Sequence, residues 1–239
     1  MITLDITLPR GALLPKRLPS SFKMEHPVIW FSPEPSDFND RIWSSKTDET
    51  VARPAKPNKS AADLGSAFGR AMLFSEAQSN CGFAIEKLEQ QSSTFSGAIL
   101  FSSEGNAATL LSLHQNGAEG YFFISEDDGH IRAAYQGHDA SIICPSPPEG
   151  QLNALLFCIS GGRITLALNS NEPRSDTLPL SFKNEPLDIF LLCRSDRSGI
   201  TKTLGEAGLA DVFLWPDADI FSSTYDHDRN WLLSQQNTP

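Results

Sequence analysis

No stretch of this 239-residue sequence comes near the roughly 18 continuous apolar residues a membrane-crossing helix needs, so insertion into a membrane is not expected. Basic residues are also scarce. Nineteen Lys and Arg against 29 Asp and Glu leave a formal net charge of −10. A nucleic-acid binder needs a basic face to neutralise phosphates, and docking on anionic lipid needs the same, so neither class is expected. Cysteine is limited to Cys81, Cys144, Cys158 and Cys193, at spacings that match no zinc pattern. Cys158 and Cys193 lie within apolar runs, which favours buried free thiols; a disulfide between neighbouring strands stays open. The opening Met1-Ile2-Thr3-Leu4-Asp5 lacks the basic start and the longer apolar run of a secretory signal. The expectation is synthesis in the cytoplasm, with departure inside a virus particle as an open alternative.

Motifs of common catalysis are missing too. There is no Gly-x-Ser-x-Gly, no His-Glu-x-x-His, no phosphate loop and no dinucleotide glycine pattern. The five histidines, at 26, 114, 130, 138 and 227, are scattered; His130 and His138 read as surface residues near turns. Helical periodicity is almost absent.

What the chain does contain is short alternating segments. Ile2, Leu4, Ile6 and Leu8 alternate with polar residues over 2–8, a half-buried strand. Val28 to Phe31 is a second short apolar piece. Residues 32–62 carry Pro33, Pro35, Pro54 and Pro57 and read as a Pro-rich arm or long loop without structure of its own, either functional or mobile, pinned to the body by Trp43. From residue 67 the strand signals become regular: 67–74, 81–88, 94–102, 107–114, 120–126, 130–136, 141–144, 152–160, 163–169, 187–194 and 208–215. Glu104-Gly105-Asn106, Asn116-Gly117, Asp127-Asp128-Gly129 and Gly161-Gly162 supply turns between them. The spacing predicts an all-β, antiparallel two-sheet sandwich with little helix. Ala154 to Ile159 and Leu187 to Cys193 are apolar throughout, as in central strands covered on both faces. One helical turn is expected over 218–225.

Several of these segments resemble the laminin-G-like, concanavalin-A-like lectin/glucanase superfamily. The early strand is Ala67-Phe68-Gly69-Arg70-Ala71-Met72-Leu73-Phe74, and a hairpin joins Leu152–Cys158 to Arg163–Asn169. The closing strand Gly208-Leu209-Ala210-Asp211-Val212-Phe213-Leu214-Trp215 is similar to the family's Gly-Ile-x-Asp-Val-x-Ile-Trp. Regular alternation along it would set Leu209, Phe213 and Trp215 on one face. The hairpin departs from the family, with Ser170 after Asn169 where members usually carry Gly. The resemblance covers 63–225 and implies a jelly-roll sandwich, with 1–62 as an N-terminal strand plus Pro-rich arm and 226–239 as a C-terminal tail. Its members include carbohydrate binders, adhesion modules and glycoside hydrolases, so the fold does not choose among them.

The family's hydrolases typically carry Glu-x-Asp-x-x-Glu, which aims paired carboxyls into one cleft; no such string occurs here. No catalytic residue is assigned, and the chain is expected not to be an enzyme. No cofactor is required. Ca²⁺ is the one ion the resemblance suggests, with Asp127, Asp128, Asp226 and Asp228 as its candidate ligands. For a sugar, the candidate contacts are Trp43, Tyr121, Tyr135 and Trp231, since flat rings stack on pyranose faces. The expected function is recognition of a glycan or protein surface. The alternatives are a structural component of a phage-like particle, with homo-oligomer or virion partners reached through strand 2–8, and a glycoside hydrolase on the same scaffold.

Overall fold

A computed structural model describes residues 24–26, 28–39, 41–56, 63–77, 79–178, 185–196 and 203–237. The expected strand over 2–8 lies outside these residues. In chain order the strands are β1 (Ile29–Phe31), β2 (Phe38–Asn39), β3 (Ile42–Ser44), β4 (Val51–Pro54), β5 (Asp63–Ala67), β6 (Arg70–Ser75), β7 (Phe83–Leu88), β8 (Phe95–Ser103) and β9 (Ala108–Gln115). They continue with β10 (Tyr121–Asp127), β11 (His130–Tyr135), β12 (Ala140–Pro145), β13 (Asn153–Ser160), β14 (Arg163–Leu168), β15 (Arg174–Thr177), β16 (Leu187–Leu191) and β17 (Ala207–Pro216); helix α1 (Asp226–Ser234) follows.

The strands form two antiparallel sheets packed as a sandwich. An eight-stranded sheet runs β15-β14-β13-β8-β17-β6-β5, and β1 pairs with β17 where β6 ends. A nine-stranded sheet runs β12-β11-β10-β9-β16-β7-β4-β3-β2. The main core lies between them: Ile99, Phe101, Leu155 and Phe157 from one sheet meet Leu111, Phe122, Ile124 and Ile189 from the other. β13 and β16 are central strands, as their continuous apolar runs require. All four cysteines are buried and free.

Residues 32–56 correct the expectation of an unstructured arm. They hold a 3-10 turn (Pro35–Asp37) and the strands β2, β3 and β4, which extend the nine-stranded sheet. The prolines do not prevent this. Pro35 opens the 3-10 turn and Pro54 ends β4, positions that need no proline N–H. The segment 67–74 is likewise not one strand. Phe68 and Gly69 adopt positive φ (52° and 67°), a tight turn that joins β5 to β6. β15 and α1 were not foreseen; α1 replaces part of the expected tail.

The closing strand carries the feature that shapes the site. Its register against β8 shifts between Leu209 and Asp211, so Ala210 is an extra residue in the ladder. Leu209 therefore faces the main core, while Phe213 and Trp215 face outward into a second apolar cluster with Leu156 and Leu232. Regular alternation would have put all three on one face. Gly208 sits just before the bulge in close quarters: a Cβ there would lie 2.8 Å from both Met72 Cε and Ser102 Oγ, and those side chains would have to shift.

Candidate functional site

The outer face of the eight-stranded sheet is only partly covered by α1, and a cleft of about 680 Å³ remains beside it. Phe213 of β17 forms its floor. Trp30 of β1 stacks on Phe213 with ring centroids 5.6 Å apart, and Trp231 of α1 meets it edge-on at 5.8 Å. Alternation in β1 explains Trp30: Ile29 and Phe31 face the main core, which turns Val28 and Trp30 outward. His26, Glu25, Thr47 and Asp48 form a polar rim.

Hydrogen bonds hold these walls. Trp30 Nε1 donates to Asp211 Oδ1 (2.8 Å), and Arg70 Nη1 donates to Asp211 Oδ2 (3.2 Å). Arg70 also donates to Gln235 beyond α1. Burial pushes the Asp211 carboxyl up to about 6, although the Trp30 N–H and the Arg70 charge pull the other way. Thr47 Oγ1 donates to Val28 O (2.6 Å) and accepts from the Trp30 backbone N–H (3.0 Å), tying the 45–50 loop to β1. Lys46 Nζ sits 5.6 Å from the Trp30 ring centroid, held by Glu34 (3.1 Å) and Asp37 (3.2 Å). Burial pulls its amine down, but the two carboxylates outweigh that and raise it.

The remaining wall is latched to α1. Asp228 is fully buried; its Oδ1 accepts the Glu25 backbone N–H (3.0 Å) and its Oδ2 lies 3.0 Å from His26 Nδ1. The His26 ring packs on Tyr225 at 4.3 Å.

The four aromatic candidates are not brought together. Trp231 lines the cleft. Trp43 is 0% exposed, donates Nε1 to Ser32 O (2.9 Å) and stacks on Phe38, so it anchors the 32–56 segment and cannot touch an external ligand. Tyr135 is 5% exposed, its hydroxyl donating to Glu119 O (2.6 Å); it too is structural. Tyr121 is half-buried on the outer face of the nine-stranded sheet, stacked on His114 at 4.5 Å. Beside it Arg194 covers the Phe123 ring at 3.9 Å, and the cavity there is only about 30 Å³.

The proposed Ca²⁺ ligands are also dispersed. Asp127 and Asp128 are exposed at the β10–β11 turn, where Arg132 Nη2 is 3.9 Å from Asp128 Oδ2. Asp226 pairs with Arg229, and Asp228 spends both oxygens on the latch. Among the described residues, no three His, Cys, Asp or Glu side chains converge as a metal-binding group. Trp30, His26 and Phe213 escaped sequence reasoning as site residues; Val28 to Phe31 is apolar throughout, so nothing in it marked which face Trp30 would take.

The architecture places the chain in the class of antiparallel two-sheet β-sandwiches. No family model and no curated protein sequence matches it. Solved structures do. Domain 4 of AbnA, an arabinanase from Geobacillus stearothermophilus, in complex with arabinotriose, is similar with a TM-score of 0.62 at 13% identity, covering 87% of this chain and 97% of that one. Trypanosoma rangeli sialidase in complex with sialic acid gives 0.60 at 12% identity over 88% of this chain. This chain spans 33% of the sialidase's length. The binding domain of botulinum neurotoxin serotype D/C gives 0.56 at 10% identity, covering 88% and 52%. At such identities the likeness concerns fold alone.

Proposed function

We propose that this chain is a non-catalytic glycan-binding module and that the cleft between Trp30 and Trp231 is its site. The carrying observation is two indoles around Phe213, over a cleft of about 680 Å³ with a polar rim. Apolar ring faces match the C–H face of a sugar, and the rim matches its hydroxyls. The arabinotriose complex of the AbnA domain supports the reading, since there a sandwich similar over nearly its full length holds an oligosaccharide. Within the sandwich class, the closing strand and its aromatic outward face favour the laminin-G-like, concanavalin-A-like group.

The absence of catalysis is part of the proposal. The buried carboxylates behind the cleft are engaged: Asp211 accepts from Trp30 and Arg70, Asp228 accepts from the Glu25 backbone N–H, and its other oxygen pairs with His26. Hydrolysis needs two carboxyls facing the scissile bond, one of them able to give up a proton.

The test is a glycan-array screen followed by calorimetric titration of the retained sugars. Trp231→Ala should weaken binding by about tenfold or more, the cost of removing a central aromatic contact. Trp231 is the better target, because Trp30 also supports Asp211. Unchanged affinity in the variant, no glycan retained, or release of reducing ends by the wild type would each overturn the proposal.

A further inference from the structure

We infer that His26 is a specificity-determining acceptor in the cleft and that the ligand is an uncharged glycan. The inference rests on the glycan-binding reading and adds the class of sugar. A carboxylate accepts hydrogen bonds and donates none. Asp228 is 0% exposed; its Oδ1 takes the Glu25 backbone N–H, and its Oδ2 faces His26 Nδ1 at 3.0 Å. Nδ1 must therefore carry the hydrogen. A neutral imidazole has one N–H, which leaves the lone pair on Nε2. Among the described residues nothing binds Nε2, and His26 is one of the cleft's lining residues, its ring packed on Tyr225. The nitrogen offered to the ligand is an acceptor, oriented by a buried carboxylate.

A sugar hydroxyl can donate to that lone pair. A carboxylate or sulfate cannot, and would meet it lone pair to lone pair. The charges nearby point the same way. Among the described residues, the charged side chains lining the cleft are Glu25 and Asp48, with no Lys or Arg in the lining. The Lys46 amine is held at the Trp30 ring by Glu34 and Asp37. His227 lies 3.9 Å from Glu25 and 3.6 Å from Asp228, on the latch. Recognition of an anionic sugar calls for a guanidinium or ammonium facing it, and the described lining residues supply neither.

Asp228→Asn is the discriminating variant. The asparagine oxygen would still accept the Glu25 N–H, while its amide would donate to His26 Nδ1 and move the ring hydrogen to Nε2. The acceptor would become a donor without a change of shape, as when the aspartate of a serine-protease triad is replaced by asparagine. The experiment screens neutral oligosaccharides beside acidic counterparts, lactose with sialyllactose and xylotriose with trigalacturonate among them, at about pH 8, where imidazole is normally neutral. Nitrogen-15 NMR of the His26 ring reads the tautomer in the same samples. The wild type should carry its hydrogen on Nδ1 and prefer neutral over acidic glycans by about tenfold or more. Asp228→Asn should move the hydrogen to Nε2 and shrink that preference severalfold. His26→Gln, which can present either an oxygen or an amide, should shrink it as well, and covers the case in which Asp228→Asn fails to fold. Equal or better retention of acidic glycans by the wild type, or an unchanged preference in a folded variant, overturns the inference and leaves the glycan-binding reading standing. No retention of any glycan overturns both.

Discussion

Asp211 shows how one extra residue in a ladder creates a charge problem that other residues then contain. The bulge at Ala210 turns Asp211 out of the main core but leaves it only 3% exposed, beneath Trp30. Burial raises its carboxyl from the usual 3.8 to about 6. A group that holds its proton more tightly folded than unfolded stabilises the fold fully below its unfolded pKa. That stability is lost as the pH climbs through the folded value. The window is thus about pH 4 to pH 6, and the loss is of order 3 kcal/mol, at about 1.4 kcal/mol per pH unit. Asp211→Asn keeps an acceptor for Trp30 and removes the titration. In thermal melts across that window the wild type should fall relative to the variant as pH rises; parallel curves would show that Asp211 does not titrate there. The Asp in Gly208-Leu209-Ala210-Asp211 was readable as part of a closing strand. Its burial was not, because alternation carries no mark of a bulge.

At the scale of elements, regular strands were legible and irregular ones were not. β8 through β14 and β17 fall within a residue or two of their expected limits, since alternation and Gly, Asn and Asp turns both mark them. The misses share a cause: tertiary packing stabilises elements whose local signal is weak. β15 is Arg-Ser-Asp-Thr, exposed along its length and held by its ladder to β14 and by hydrogen bonds to β12 of the other sheet. The first five residues of α1, Asp-His-Asp-Arg-Asn, hide the apolar triplet Trp231-Leu232-Leu233 that follows. Nine residues are too few for a helix to persist alone in water, so α1 depends on its dock. Leu232 is 0% exposed in the outer cluster with Leu156 and Phe213. Leu232→Ala should cost about 2–5 kcal/mol, and at about 2–4 °C per kcal/mol the midpoint should drop by several degrees or more. A melting temperature within a degree or so of wild type would mean that α1 is not docked as described. The cleft draws on three segments distant in the chain, 24–30, 47–48 and 213–231, so no spacing pattern could have announced it.

For the molecule as a whole, the two sheets share one interior, and neither can keep its inner face dry alone. Phe122 of one sheet lies 6.4 Å from Phe157 of the other, within a cluster that runs through both. The sheets are also joined at one side, where Ser141 Oγ donates to Thr177 O (3.2 Å) and Arg174 Nη1 donates to Ile143 O (2.9 Å). Two buried thiols report on whether this union is cooperative. Cys158 lies on β13 of the eight-stranded sheet, and Cys193 follows β16 of the nine-stranded one. Burial pushes both thiols up to about 12, so neither offers a reactive thiolate while folded. Alkylation by iodoacetamide must wait for an opening that exposes the sulfur. If the sandwich opens as one unit, both positions open with the same free energy, that of global unfolding. Pulsed alkylation read peptide by peptide in the mass spectrometer should then show Cys158 and Cys193 labelling slowly and in step, with the ratio unchanged as urea is added. A cysteine that labels orders of magnitude ahead of the other would show its sheet opening alone, and the shared core would not be the unit of stability.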